Sequence, residues 1–105
     1  SAMAQPPPDL IITLETGPGA GRGRYVARTA EGPESEMTFA HIPGGIIVDH
    51  TGVPKELEGR GIARVLLDRA IADARALGLF IRPRCSYIVA QFARHPEWGD
   101  VIKTG

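Results

Sequence analysis

The stretch EGRGIAR, Glu58 to Arg64, sets Gly59 and Gly61 around Arg60 just before a run of helical periodicity. Glycine costs about 1 kcal/mol against alanine in a helix interior, so a helix that opens on glycines forgoes a cheaper Ser or Asp cap. The first N–H groups of a helix lack internal partners and carry the positive end of its dipole. Glycines let a phosphate approach those groups closely, and Arg60 and Arg64 add charge beside them. In this reading a large anion takes the place of the capping side chain. The plainer alternative is a loop whose glycines adopt positive φ. Two motifs are excluded. GRGIAR has Arg64 where the dinucleotide fingerprint needs its third glycine, and VPKEL separates it from the preceding strand. GAGRGR, Gly19 to Arg24, leads into a strand rather than a helix, and no G-x-x-x-x-G-K-[ST] occurs.

A second candidate is Cys85, the one cysteine. It opens the last helical stretch, where a helix N-terminus and the neighbouring Arg84 favour a thiolate. The alternative is a small buried apolar side chain. A lone cysteine forms no internal disulfide and suits a reducing, cytoplasmic setting. The three histidines, His41, His50 and His95, and Cys85 show no metal-ligand spacing, so no metal is expected.

The elements that must position these residues follow from periodicity. LIITLET is strand-like, with its place in the sheet open. RYVART, EMTFAHI (36–42) and IIVDHTGV (46–53) are strands joined by short Gly/Pro loops, an antiparallel meander. GPGAGRG (17–23) is expected as a flexible turn, and AEGPES as another. From Ala63 the apolar positions Leu66, Leu67, Ala70, Ile71, Ala74 and Leu77 form one helical stripe, and Gly78 is placed to end it. LFIRPR (79–84) returns as a strand parallel to IIVDHT, and SYIVAQFAR is a second helix that Ser86 can cap and Pro96 ends. The expected fold is α/β, a mixed sheet made of an antiparallel meander, a βαβ unit and a C-terminal helix. Pro83 cannot donate to a ladder, so the two parallel strands are expected to part near their C-terminal ends. α/β folds place ligands in such gaps.

A chain of 105 residues with 43% hydrophobic and 23% charged residues reads as one globular domain. Residues 1–8 are expected as a tag remnant (Ser1, Ala2) and an extended proline-rich lead-in, and 9–105 as the domain. Twelve basic and twelve acidic side chains cancel, which argues against a chain built mainly to grip nucleic acid or an anionic membrane. No apolar run reaches the roughly 20 residues of a membrane span.

The segment Glu58 to Ala63 resembles the Q/R-x-x-G-x-G/A motif of the GCN5-related N-acetyltransferases. From Asp49 to Trp98 the chain resembles a small single-domain subfamily, with His50, Thr51, Val53, Pro54, Cys85, His95 and Pro96 in register. Glu58 departs from the Gln or Arg of the wider superfamily. An acid there adds no attraction for phosphate, which leaves that work to the backbone amides.

The resemblance implies acetyl-CoA as cofactor and acetyl transfer to an amine. It implies a pyrophosphate on Glu58, Gly59, Arg60, Gly61, Ile62, Ala63 and Arg64. It also implies a pantetheine arm in the gap beside Thr51, Val53 and Cys85. An attacking amine must be neutral, so His50 is the candidate base, facing the gap if its strand is bulged. Cys85 is a candidate near the thioester. Tyr87 is a candidate acid for the departing thiolate, as a tyrosine is in many superfamily members. The plainer readings are a packed histidine and a tyrosine in the core or rim. Two rivals stay open: a CoA-binding module with little catalysis, and a protein-interaction domain using the meander edge. The acceptor is unnamed, a protein lysine or a small amine. The chain is expected as a monomer or as a homodimer paired through its early strands.

Overall fold

The computed structural model describes residues 4–17, 19, 21–30 and 32–104. The tag remnant expected at Ser1 and Ala2 lies outside the described residues, as do Pro18, Ala20 and Glu31 of the two expected turns. Five strands form one sheet in chain order: β1 Ile11–Thr16, β2 Arg22–Arg28, β3 Ser35–Ile42, β4 Gly45–Gly52 and β5 Phe80–Pro83. The first four pair antiparallel and β5 pairs parallel to β4. The fold class is therefore the expected mixed α/β sheet. LIITLET finds its place as the edge strand β1 on β2, so the meander has four strands rather than three.

Alternation along the strands sorts the two faces. Tyr25, Ala27, Met37, Phe39, Ile46, Val48 and Ile81 face the helices and are buried. Helix α1, Ile62–Leu77, lays Ile62, Leu66, Leu67, Ala70, Ile71 and Ala74 against them. Gly78 closes α1 with its N–H on the Ala74 and Arg75 carbonyls. Tyr25 Oη donates to Asp73 Oδ2 at 2.7 Å, tying α1 to β2. Helix α2, Ser86–Arg94, adds Ile88 and Phe92 to the same core, and a 3-10 turn, Pro96–Trp98, adds Trp98. No described helix is long and apolar enough to cross a membrane.

One local expectation is corrected. Ser86 does not cap α2. Cys85 is the N-cap residue, with no side-chain cap hydrogen bond, and Ser86 is the first helical residue. The proline-rich lead-in ends in a turn at Pro8–Asp9. Leu10 N–H closes a turn onto the Pro7 carbonyl at 3.0 Å, and Pro7 is buried. Pro8 has a fixed φ but no proline after it, so its ψ is free to turn.

Candidate functional site

β4 and β5 pair from Gly45–Phe80 to Val48–Pro83, and Arg84 N–H makes a last bond to the Val48 carbonyl at 2.9 Å. Beyond Val48 the strands part. β4 runs on to Gly52 paired with β3, while the segment after β5 turns at Cys85 into α2. The gap foreseen from Pro83 thus opens at Val48, before Val53.

β4 is bulged at the same place. Thr38 faces His50 but Phe39 faces Val48, so Asp49 is the extra residue. Thr38 Oγ1 donates to Asp49 Oδ1 at 2.6 Å, and Arg22 reaches Asp49 Oδ2 at 2.9 Å. Burial would raise the Asp49 carboxyl, but these hydrogen bonds and the Arg22 charge hold it below the usual range. The bulge reverses the phase of the strand. His50 joins Thr38 and Glu36 on the face away from the helices, and Thr51 pairs with Met37 on the helix side. His50 is 59% exposed, with Nε2 3.6 Å from Glu36 Oε2. Cys85 is half-buried at the N-cap of α2, and its thiol donates to Thr51 Oγ1 at 3.7 Å. His50 and the Cys85–Thr51 pair therefore lie on opposite faces of β4.

The start of α1 has the geometry of an anion cradle. Gly59 and Gly61 both sit in the left-handed region, at φ 79° and 75°. Gly61 is the N-cap, no side chain caps the helix, and the first turn holds no acid. A cleft of about 260 Å³ is lined by Val53, Leu57, Glu58, Gly59, Gly61, Ile62, Ala63, Arg64 and Tyr87. It joins the N-terminus of α1 to the end of β4 and the first turn of α2. Burial raises the Tyr87 phenol, with the Arg64 charge opposing, so Tyr87 holds its proton at neutral pH.

Arg64 lines this cleft. Its Nε lies 2.9 Å from Asp68, Nη1 lies 3.3 Å from His95 Nε2, and its guanidinium stands 4.9 Å over the Trp98 ring. Arg60 corrects an expectation. Its Nε donates to the Gln5 carbonyl at 3.0 Å, and its side chain borders a separate cleft with Pro7, Pro8, Asp9 and Leu57. The folded N-terminal segment draws the guanidinium off the anion cradle, so only the backbone of Arg60 remains beside it.

On the open face a second cleft, of about 500 Å³, is lined by Arg24, Glu34, Glu36, Gly52, Val53 and Pro54. Val53 borders both clefts, just past the end of β4. Sequence reading missed Glu36, Arg24 and Gly52 here. Alternation put Glu36 on the polar face, but only the bulge brings His50 to that face.

No curated protein matches the chain. Among solved structures, the NMR solution structure of a GCN5-like protein from Staphylococcus aureus is similar to it. The TM-score is 0.66 at 25% identity, over 93% of this chain and 92% of that one. A family model described as GCN5-related N-acetyl-transferase matches residues 24–101, from β2 through α2 to the turn beyond it. That span is well over half of the chain, which belongs to the GCN5-related N-acetyltransferase family.

Proposed function

We propose that this protein is an acetyl-CoA-dependent N-acetyltransferase that moves an acetyl group to an amine, either a protein lysine or a small amine. We place it in the cytoplasm, acting through one domain, as a monomer or a homodimer. The observation that carries the reading is the cleft joining an uncapped helix start to Val53 and Tyr87, where β4 leaves β5. The residues present fit CoA. Gly59 and Gly61 bring backbone N–H groups to an open surface for a pyrophosphate, and Arg64 supplies the side-chain charge. Beyond Val48, β4 has no β5 partner among the described residues, which leaves its backbone for the pantetheine amides. Acetyl-CoA supplies the activated acetyl group as a thioester.

The chain's own residues then divide the proton work. His50, on the open face, takes a proton from the attacking ammonium and leaves a neutral amine. Tyr87, a phenol protonated at neutral pH and lining the cofactor cleft, gives its proton to the departing thiolate. Cys85, bonded to Thr51, lines the gap and shapes it. The acceptor comes through the open-face cleft, which shares Val53 with the cofactor cleft. Glu36 and Glu34 in that cleft already hold Arg24. This favours a second reading, a CoA-binding module with little turnover.

Thiol release from acetyl-CoA with a panel of lysine peptides, polyamines and small amines separates the readings. Turnover that falls about 10²-fold in His50→Ala, with CoA affinity kept, supports the transferase. CoA binding with no turnover on any amine supports the module. No CoA binding at all defeats both and returns the interaction domain.

A further inference from the structure

We propose that Glu36 and Gly52 are positioning residues for His50: they turn its Nε2–H toward Glu36 and leave Nδ1 as the nitrogen that takes the acceptor's proton. The inference rests on the reading of His50 as the base. Glu36 pairs directly with Gly52 across β3 and β4, and His50 pairs with Thr38. Residues two apart on a strand share a face, so His50 and Gly52 lie side by side there. A Cβ built on Gly52 would stand 3.0 Å from His50 Nε2 and 3.5 Å from Cε1. The imidazole therefore lies along the strand over Gly52, where a Cβ would press on the ring, with Nε2 3.6 Å from Glu36 Oε2. Gly52 has no positive φ, and a side chain there would displace the ring.

Glu36 is itself held. Its Oε1 accepts from Arg24 Nη1 at 2.9 Å, and Arg24 is held in turn by Glu15 and Glu34. That leaves Oε2 turned to the histidine. Asp49, the nearest other carboxylate on β4, is occupied by Thr38 and Arg22. A neutral imidazole carries one N–H. A carboxylate near Nε2 attracts that N–H and repels a lone pair there, so Nδ1 keeps the lone pair. In the transfer step the acceptor's N–H bond breaks and Nδ1–H forms. The resulting imidazolium, stabilised by Glu36, later returns the proton to solvent.

The test is the tautomer of His50, read from long-range nitrogen–proton correlation spectra of the whole chain without CoA, above the titration range of the ring. The Nε2–H form is expected to dominate in the wild type. In Glu36→Leu its share should fall toward that of an unrestrained imidazole, while the His41 and His95 signals stay in place. Gly52→Ala, which spares the Arg24 pairs, should produce the same shift by displacing the ring. A dominant Nδ1–H form in the wild type would overturn the proposal. So would an unchanged tautomer population in both variants. In the turnover assay, Glu36→Leu on top of His50→Ala should add no further loss in kcat, because Glu36 acts on the proton transfer through His50, whereas KM for the acceptor reports its place in the open-face cleft. Full activity in His50→Ala instead defeats the reading of His50 as base, and leaves the tautomer result standing on its own.

Discussion

The Cys85 thiol donates to Thr51 Oγ1 at 3.7 Å, across the point where β4 and β5 have just parted. The bond spans the gap from the N-cap of α2 to the helix-facing side of β4. A thiol spent as a donor to a hydroxyl is a wall of the site more than a nucleophile. Cys85→Ala is therefore expected to keep kcat within about tenfold of the wild type, far from the loss of 10² or more that removing an essential group causes. Mass spectrometry of enzyme incubated with acetyl-CoA and no acceptor should show no acetyl adduct. An adduct on Cys85, with a dead Cys85→Ala, would replace direct attack by a covalent route.

Gly61 sits at φ 75° as the N-cap of α1, facing the cleft. Any side chain there pays about 1–2 kcal/mol for the left-handed backbone. Gly61→Val also sets a branched side chain against Pro6 and shifts the loop whose N–H groups would meet a phosphate. The variant should melt a few degrees lower and lose its stabilisation by CoA, as read by thermal shift. Equal CoA stabilisation in variant and wild type would remove the phosphate from this loop.

The two arginines flanking the cradle are not equivalent. Arg64 lines the cleft, whereas Arg60 is bonded to the Gln5 carbonyl and borders a different one. A charged contact at a partly exposed site is worth up to about 1 kcal/mol. Arg64→Ala should weaken CoA binding about three- to fivefold in titration calorimetry, and Arg60→Ala should change it little. The reverse order would mean that Arg60 swings into the cleft when CoA binds.

Tyr25 is buried and donates to Asp73, and both its burial and that carboxylate push its phenol well above the ordinary value of 10.0. The unfolded chain therefore releases this proton first. Stability is full below about pH 10 and falls as pH rises beyond it. Tyr87, also raised by burial, acts in the same direction. Urea unfolding between pH 8 and pH 11 should show the decline, and Tyr25→Phe should flatten it while lowering stability at pH 8 by about 1 kcal/mol for the lost hydrogen bond. A slope unchanged in Tyr25→Phe would refute the assignment.

Periodicity alone determined most of the architecture. The helical stripe of α1 and the alternation of β2 to β4 follow from side chains that must face one core, and the short return to β5 makes the last pairing parallel. The glycines of 59 and 61, with no capping residue near them, were legible as an uncapped helix start because backbone conformation there is a local property. Pro83 marked the gap for the same reason, since a missing N–H is written in the residue type. The tertiary structure decided the rest. The side on which His50 leaves β4 depends on one extra residue, Asp49, and a bulge is set by how two strands pair. The position of the Arg60 side chain depends on a carbonyl 55 residues away, at Gln5. Glu36, Arg24 and Gly52 surround His50 through the cross-strand register, which places residues distant in sequence side by side.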